Sequence, residues 1–385
     1  MIYTVDLMPI EPMLFSDNRS ARAGADHLIR DQDPSPHAIY GTIGAYLLRQ
    51  LKLAVDSKNW QSAEAYLGEF NHGIKNDDKI RAELLGYCIR DGADELWFSK
   101  PKHVFFNKEK FPMHYASVQP KTGFDSLTDF DSHLKFDLHP QEEELETDVL
   151  VSKSLLTNLL CQQTFSSKAN NQVRELNEFF KPELRLGIKM NNSQNCVEEG
   201  LFFSRPYRRF KSDVNLNNNK WRSVGFSAWY KTLQALDDSV KPKGVCFLGG
   251  DRRRAVIELQ ALQNEKPLQN MCTFIQNQID GTEGFLAYLL TPAVREKEWP
   301  QMAEQKPVAA GIGKEITISG WNADRSGQHP RPILKLIPAG SVFFYKWPDN
   351  DTEERKKIIS DYWFKPLSNN YKNSGFGRVL IGVWK

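Results

Sequence analysis

Residues 34–53 read PSPHAIYGTIGAYLLRQLKL and predict an amphipathic helix near the start of the chain. Ser35 is of a residue type that caps helices, and Pro36 suits a first turn, where proline's missing N–H is not needed. Apolar side chains then recur at helical spacing on one face: Ile39, Ile43, Tyr46, Leu47 and Leu51. Gly41 and Gly44 each cost a helix about 1 kcal/mol relative to alanine, which indicates close approach of its backbone to a sheet or a ligand.

A polar loop, residues 16–33, separates this helix from a predicted strand over residues 2–10. The loop carries Arg19, Arg22 and Arg30. A helix N-terminus beside arginines can bind an anion, because its free N–H groups and its dipole both attract negative charge. An ordinary capped helix behind a surface loop explains the same residues and is the commoner case, since most helix N-termini hold no ligand.

Length and composition describe a folded globular protein. The 385 residues are enough for two domains, and 40% hydrophobic with 25% charged residues excludes a disordered chain. The net charge of +2 means that a polyanion must be bound by local basic patches. Five scattered cysteines without a Cys-x-x-Cys pair argue for a reducing compartment and against a zinc or disulfide framework. The sequence shows no signal peptide and no apolar run of membrane-spanning length, so the expected location is the cytoplasm, away from membranes.

Both halves of the chain repeat one order of elements: strand, helix or loop, hairpin, helix, glycine-rich loop, strand. This is the split βαββαβ order of ferredoxin-like, RRM-like folds. The prediction is an α+β protein with two such domains, residues 1–270 and 271–385, and a large insertion at about 58–180 in the first.

More local predictions follow from hydrophobic spacing and turn residues. Helices are expected at 59–70, 77–90, 227–237 and within 150–181, and a short hairpin over 94–106. A longer hairpin is expected from strands at 184–190 and 199–210, joined by an asparagine-rich turn.

Two glycine-rich loops lead into strands, one at Gly249 and Gly250 and one at Gly375, Phe376 and Gly377. Glycine lets a backbone approach a phosphate closely, and successive N–H groups can form an anion-binding nest. The arginines that follow these glycines would add charge and forked hydrogen bonds; they are Arg252, Arg253, Arg254 and Arg378. One such loop is equally explained as a turn before a strand, but two at equivalent places favour a binding role.

A second basic patch mixes arginines with aromatic residues. Its cations are Arg205, Arg208, Arg209 and Lys211, and its rings are Phe202, Phe203, Tyr207 and Phe210. Arginines that hold phosphates beside rings that stack on bases are typical of proteins that bind single-stranded RNA. By strand alternation Arg205, Tyr207 and Arg209 share one face and Arg208 the other. The open alternative is a cationic outer face on a strand whose aromatic rings fill the core.

Catalytic and metal signals are weak. His27 and His37 lie near the helix start, where a neutral histidine could act as a general base. Lone histidines are, however, more often surface or hydrogen-bonded residues. Asp31 and Asp33 could begin a divalent-metal site, but nothing nearby completes the ligand shell. We therefore expect no enzyme activity, no metal and no cofactor.

Taken together, these features resemble the RAMP superfamily of CRISPR effector proteins, and in detail subunit three of the type III-B (Cmr) module. The matching segments span about residues 1 to 384, although residues 58–180 and 258–283 contain few of the matches. They are the basic loop, Pro34-Ser-Pro36 with its glycine-bearing helix, Gly187-Ile188, Glu199-Gly200-Leu-Phe, Leu248-Gly-Gly-Asp-Arg, Leu290-Thr-Pro-Ala293 and Gly375-Phe-Gly-Arg378. The first glycine-rich loop departs from the family pattern, because three arginines follow Asp251.

The resemblance implies two ferredoxin-like domains, a thumb and no nuclease activity, in a ribonucleoprotein of antiviral defence. The subunit would cap the effector at the 5′ end, grip the repeat-derived handle of the crRNA and dock the large palm-domain subunit. Backbone RAMP subunits would be further partners, and target RNA an indirect one. The thumb would lie in residues 107–150 or near 205–222.

With the patches above, the candidate RNA-binding residues are Arg19, Arg22, His27, Arg30, Ser35, Pro36, His37, Arg205, Arg208, Arg209, Gly249, Gly250, Arg252, Arg253, Gly375, Phe376, Gly377 and Arg378. Two alternatives remain open. One is a metal-independent, crRNA-processing endoribonuclease that uses His27 or His37, as some RAMP relatives cut RNA with a histidine near this helix. The other is a subunit of a different type III complex with the same fold.

Overall fold

The computed structural model describes most of the chain. The described residues are 1–15, 32–50, 82–106, 112–115, 117–120, 134–137, 149–163, 169–191, 193, 196–215, 220–232, 235–236, 240–263, 266–319, 321–324, 327–330, 333–348 and 351–385. They contain the α-helices α1 (Pro36–Gln50), α2 (Lys153–Leu159), α3 (Gln269–Gln276) and α4 (Thr352–Tyr362). Short 3-10 helices lie at Ala169–Gln172, Leu176–Glu178, Gly250–Arg252 and Lys372–Ser374. None of the described helices is long and apolar enough to cross a membrane.

Strands dominate the described residues. Those before residue 270 are β1 (Ile2–Pro9), β2 (Ala82–Arg90), β3 (Leu96–Ser99), β4 (Val104–Phe106), β5 (Pro112–Tyr115), β6 (Ser117–Pro120), β7 (Leu134–Asp137), β8 (Val149–Ser152), β9 (Val173–Glu175), β10 (Phe180–Asn191), β11 (Cys196–Phe210), β12 (Ser212–Asn215), β13 (Lys220–Ser223), β14 (Gly225–Thr232), β15 (Lys243–Phe247) and β16 (Arg254–Ala261). Those after it are β17 (Gly284–Leu289), β18 (Ala293–Val294), β19 (Ala309–Gly311), β20 (Ile316–Ile318), β21 (Trp321–Asp324), β22 (Gly327–Pro330), β23 (Leu334–Ile337), β24 (Val342–Lys346) and β25 (Val379–Trp384).

The first half is built on an eight-stranded sheet in the order β15-β16-β1-β14-β2-β3-β8-β9. Every neighbouring pair is antiparallel. Helix α1 packs on one face, where Ile39, Ile43 and Leu47 join Val5 and Leu7 in one buried cluster. The helical spacing read from the sequence is thus the face that α1 buries, and the predicted helix and first strand are confirmed.

The second half is built on a four-stranded antiparallel sheet in the order β19-β24-β17-β25. All residues of β17 and of β25 are buried, so both faces of this sheet are covered. Helices α3 and α4 contribute Ile275 and Ile359 to its core, which also takes in Leu85 of β2 and Phe98 of β3. The two halves therefore share a hydrophobic core.

The chain is an α+β protein in which antiparallel strands predominate, as expected. The predicted long hairpin is also confirmed: β10 and β11 pair from Phe180 opposite Phe210 to Asn191 opposite Cys196. At its base the Phe210 ring lies 5.7 Å from the ring of Phe180 and 5.4 Å from that of Phe226 in β14. This aromatic contact anchors the hairpin to the first sheet.

Two predicted helices, 77–90 and 227–237, form strands over most of their described residues; residues 77–81, 233–234 and 237 lie outside the described residues. Residues 82–90 form β2. The spacing of Leu84, Leu85 and Cys88 resembles that of a helix because β2 contains a β-bulge: opposite β14, the partners step from Gly86 to Leu84 and leave Leu85 as an extra residue. Residues 225–232 form β14, a central strand buried on both faces, so its apolar run lacks the alternation that would mark a strand.

Other local predictions also need correction. The strands within 94–106 do not pair with each other, since β3 pairs with β2 and β8 while β4 pairs with β5. Within 150–181, α2 ends at Leu159 and residues 173–175 form a strand, because they pair with β8 at the sheet edge. The helix predicted at 59–70 lies outside the described residues.

Candidate nucleic-acid interface

The basic loop before α1 is only partly described. Arg19, Arg22, His27 and Arg30 lie outside the described residues, and their binding roles stay predictions. Ser35 is described, and its Oγ accepts a hydrogen bond of 3.3 Å from the N–H of Ala38. This hydrogen bond satisfies one of the donors that a helix start leaves free. Pro36 follows as the buried first residue of α1.

His37 connects the start of α1 to the second half of the chain. The edge-to-face distance between its ring centroid and that of Phe376 is 4.7 Å, and that to Tyr371 is 5.1 Å. Both partners belong to the C-terminal glycine-rich segment, which the chain reaches more than 330 positions later. The ring is half-buried and therefore contributes to packing in this structure.

The second glycine-rich loop is a buried connection and not a surface loop. Gly375 and Gly377 have φ angles of +89° and +69°, which glycine adopts without strain. A Cβ on Gly375 would lie 2.8 Å from a side-chain carbon of Leu84, and Phe376 is 0% exposed. The expectation that Gly375, Phe376 and Gly377 face a phosphate needs correction, because the loop packs against β2 to join the halves.

Arg378 is also buried, with 2% of its surface exposed. Its Nη1 donates to the carbonyl of Phe364 at 3.0 Å, and its Nη2 donates to the Glu83 carboxylate and to the carbonyl of Lys372. Burial lowers the pKa of this guanidinium, although the Glu83 charge opposes that effect. The expectation that Arg378 adds surface charge needs correction, because it instead bridges the two halves.

The first glycine-rich loop, in contrast, is exposed. Gly249 and Gly250 lie on the surface, together with Asp251 and Arg252. The φ angles are +73° at Gly249, +56° at Asp251 and +51° at Arg252, so three residues of this loop have positive φ. The N–H of Gly250 donates to the carbonyl of Leu14 and holds the loop against the first sheet. The two loops that look equivalent in the sequence therefore have different environments.

One face of the long hairpin carries most of its arginines. Cross-strand pairing places Arg185 opposite Arg205, Glu183 opposite Tyr207 and Lys181 opposite Arg209. Glu183 accepts from Nε of Arg185 at 2.8 Å and from Nε of Arg209 at 2.7 Å, and the Arg185 hydrogen bond is the main cause of its lowered pKa. We call this surface, with Arg185, Arg205, Tyr207 and Arg209, the arginine face.

Arg208 points to the opposite side, as alternation predicts, but it is only 5% exposed. Its Nη1 donates to Asp33 at 2.6 Å, and its guanidinium carbon lies 4.3 Å from the ring centroid of Phe180. The expectation that Arg208 contacts RNA needs correction, because its guanidinium is buried and pairs with Asp33.

A hydrogen-bond network connects the arginine face to the first glycine-rich loop. Arg205 Nη1 lies 2.8 Å and 2.7 Å from the two carboxylate oxygens of Asp251, and the Tyr207 hydroxyl donates to Asp251 at 2.5 Å. Arg253 Nη2 donates to the Tyr207 hydroxyl at 3.2 Å, and Arg253 Nη1 lies 3.3 Å from Glu11. The hairpin and the loop thus form one continuous surface.

The network leaves this surface positively charged. Its arginines are Arg185, Arg205, Arg209, Arg253 and Arg254, and its carboxylates are Glu11, Glu183 and Asp251. The pKa of Glu11 is lowered, chiefly by the backbone N–H of Arg254. Burial raises the pKa of Asp251, but hydrogen bonds from Tyr207 and Arg205 outweigh it, so the net shift is downward. With all three carboxylates ionised at neutral pH, two positive charges remain in excess.

Sequence reasoning noted Asp251 in the first glycine-rich loop but assigned no role in the site to Asp251, Glu11, Glu183 or Arg185. The sequence signal for Arg185 was its position in the strand predicted to pair with the arginine-rich strand β11. Only the register of the pairing shows that Arg185 lies opposite Arg205. Glu11 gave no signal, since it lies 242 positions from Arg253 in sequence. Among the described residues no group of histidine, cysteine, aspartate and glutamate is placed to hold a metal ion.

Comparison with known families decides what kind of protein carries this surface. The family model described as CRISPR-associated protein (Cas_Cmr3) matches residues 5–384. The chain belongs to the Cas_Cmr3 family. That assignment covers nearly the whole length of this Cas_Cmr3 member and confirms the resemblance to subunit three of the type III-B module. No curated protein sequence matches the chain.

Solved chains similar to this Cas_Cmr3 member come from cryo-EM structures of the Type III-B Cmr-beta. One, bound to cognate target RNA and AMPPnP in state 1, is 17% identical with a TM-score of 0.48, and the match covers 93% of this chain and 88% of that one. Another, bound to cognate target RNA, is 15% identical with a TM-score of 0.48, and the match covers 95% of this chain and 94% of that one.

Proposed function

We propose that this Cas_Cmr3 member is a non-catalytic RNA-binding subunit of a type III-B effector, in the cytoplasm. It caps the 5′ end by gripping the repeat-derived crRNA handle and docks the large palm-domain subunit beside backbone RAMP subunits. Target RNA is then an indirect partner. The single observation that carries the proposal is the continuous arginine face and first glycine-rich loop, whose excess positive charge suits a phosphate backbone.

The proposed fold assignment is two ferredoxin-like domains. In the first half, four strands follow one another along the chain as β1, β2, β14 and β16, and α1 connects β1 to β2. In the sheet they lie in the order β16-β1-β14-β2, so the chain's fourth strand is beside its first and its third is beside its second. In the second half, β25-β17-β24-β19 repeats this order, with α4 before the last strand. Such an order in two antiparallel sheets supports two copies of the split βαββαβ unit.

We propose the long hairpin as the thumb. Leu184 is 67% exposed and Leu186 is 73% exposed, on the side opposite the arginine face. Apolar side chains this exposed support a hairpin that extends from the body of the protein toward a partner. The proposed RNA surface keeps Arg19, Arg22 and Arg30 as predicted members, and it omits the buried Arg208 and Arg378.

Binding to a guide RNA with and without its 5′ handle tests the proposal. The double variant Arg209→Gln/Arg254→Gln removes two exposed cations from the proposed surface. We expect weaker binding and a salt slope smaller by roughly 1.4 log units of affinity per log unit of salt, since each lost single-strand contact contributes roughly 0.7. The matched control is Arg295→Gln/Lys335→Gln, two exposed cations that pair with Glu315 in the second half.

Unchanged binding in Arg209→Gln/Arg254→Gln, or an equal loss in the control, would contradict the proposed surface. The endoribonuclease alternative is tested separately by incubating the protein with repeat RNA in a chelator. The non-catalytic proposal expects intact RNA. Defined cuts that disappear in His27→Ala or His37→Ala would overturn it.

A further inference from the structure

The carboxylate of Asp251 occupies a position where hydrogen-bond donors converge. Nη1 of Arg205 contacts both of its oxygens, at 2.8 Å and 2.7 Å, and the Tyr207 hydroxyl contacts one of them at 2.5 Å. A charged oxyanion between a guanidinium and a hydroxyl is the arrangement in which proteins hold the oxygens of a phosphate group.

The donors themselves are held in place. Tyr207 is 4% exposed, and the guanidinium carbons of Arg185 and Arg253 each lie 4.8 Å from the centroid of its ring. Arg253 Nη2 also donates to the Tyr207 hydroxyl. These contacts direct the hydroxyl hydrogen toward the carboxylate, because the hydroxyl oxygen already accepts from Arg253. The site is thus preorganised for an anion.

Asp251, in contrast, is partly exposed and has a positive φ. Its side chain is 34% exposed, whereas Tyr207 is buried. It lies in the first glycine-rich loop, two positions after Gly249, and its own φ of +56° is unfavourable for a residue with a Cβ. Glu183, the carboxylate on the arginine face itself, lies within the paired strand β10. Of these two acids, Asp251 is the one that lies outside a paired strand.

We propose that Asp251 is an internal stand-in for an RNA phosphate: a phosphodiester of bound RNA displaces its carboxylate and takes the contacts with Arg205 and Tyr207. The inference rests on the proposed function, because it assumes that RNA lies on the arginine face. Asp251 is then a built-in competitor. It keeps Arg205 neutralised in the free protein and weakens binding to anions that cannot displace it.

The variant Asp251→Asn tests this inference by removing the charge and keeping the size of the side chain. We expect guide RNA to bind about tenfold tighter at low salt, the factor that corresponds to one charge-assisted hydrogen bond no longer satisfied internally. We also expect the salt slope to steepen by roughly 0.7, because one more cation is available to the single strand.

Two further variants separate competition from general charge. Glu258→Gln makes the same change in net charge at an exposed carboxylate paired with Lys243, and it should leave binding nearly unchanged. Tyr207→Phe in the Asp251→Asn background removes a phosphate donor while keeping the ring, and it should reverse much of the gain. Thermal unfolding of each variant checks that the fold is retained.

Four outcomes would overturn the inference. Weaker binding of Asp251→Asn means that Asp251 tethers the hairpin. An equal gain in RNA affinity in Glu258→Gln means a general charge effect. A gain in affinity that survives Tyr207→Phe means that the RNA phosphate binds away from Tyr207. If Arg209→Gln/Arg254→Gln weakens binding while Asp251→Asn has no effect, only this inference fails. If Arg209→Gln/Arg254→Gln also binds like the unmodified protein, the proposed function fails with it.

Discussion

Arg378 and Glu83 form a buried ion pair between residues 295 positions apart in the sequence. Glu83 lies in β2 of the first sheet, and Arg378 immediately precedes β25 of the second. The side chains are 2% and 12% exposed, and Arg378 also donates hydrogen bonds to the carbonyls of Phe364 and Lys372. This pair holds the C-terminal loop against the first half of the protein.

Replacement of Glu83 should therefore destabilise the protein. Glu83→Gln leaves a buried guanidinium without its counter-charge, and such a change costs about 3 kcal/mol of unfolding free energy. Urea denaturation measures this loss. Glu315→Gln is the control, since Glu315 is 30% exposed and pairs with Arg295, so its loss should cost under about 1 kcal/mol. Equal midpoints for the two variants would contradict the bridging role of Glu83.

A second prediction concerns the glycine that turns the C-terminal loop. Gly375→Ala combines the strain of a φ of +89° with a contact of 2.8 Å to Leu84, and it should cost about 3 kcal/mol. Gly281 has a φ of +72°, and a methyl group added there would have nothing within 4 Å, so Gly281→Ala should cost only about 1 kcal/mol. Thermal unfolding compares them, and a larger loss in Gly281→Ala would refute the packing argument.

A third prediction concerns His103, which is 0% exposed and packs edge-on against Phe344. Burial, aided by Lys100, lowers the pKa of His103 from 6.5 to about 3. The unfolded chain therefore binds one more proton between these values, so this contribution to stability is complete above pH 6.5 and is lost as the pH falls toward 3. The loss should be about 1.4 kcal/mol per pH unit.

Urea titrations at pH 6 and pH 5 measure the effect of His103. His103→Leu should show a stability change between these pH values that is smaller by about 1.2 kcal/mol than that of the unmodified protein, since the unfolded histidine is not yet fully protonated at pH 6. The comparison uses the difference between pH values and not the absolute stability, so any packing defect of the variant cancels. An identical pH dependence in both proteins would rule out a neutral, buried His103.

A fourth prediction contrasts two neighbouring arginines. Arg208→Gln removes a buried guanidinium that bonds Asp33 and covers Phe180, so it should cost about 2 kcal/mol of unfolding free energy. Arg209→Gln changes a side chain that is 59% exposed, so it should leave stability within about 0.5 kcal/mol and weaken RNA binding instead. Paired denaturation and RNA-binding measurements check both. A stability loss confined to Arg209→Gln would reverse these assignments.

Sequence patterns predicted the elements whose periodicity is simple. Helix α1 and the strands of the long hairpin are where spacing and turn residues placed them. Strand β2 was mistaken for a helix because a bulge at Leu85 broke its alternation, and β14 because both of its faces are buried. Periodicity reports one-sided burial, so it fails where burial is two-sided or the register shifts.

The candidate site was predictable only in part for a related reason. Alternation placed Arg205 and Arg209 on one face and Arg208 on the other, and the structure agrees. Alternation could not show that Arg208 has Asp33 as a partner, since the two lie 175 positions apart in sequence. Basic residues look alike in a sequence whether their charge faces solvent or a buried carboxylate.

The sequence by itself determined the family, the α+β class, the first helix and the long hairpin, because these follow from local residue order and spacing. Only the tertiary structure distinguished the environments of the two glycine-rich loops, each of which has two glycines followed by arginine. The loop at Gly249 and Gly250 lies on the surface beside the arginine face, while the loop at Gly375 and Gly377 is buried against β2. The physical reason is that burial and ion pairing depend on chain segments hundreds of residues away, which local sequence does not encode.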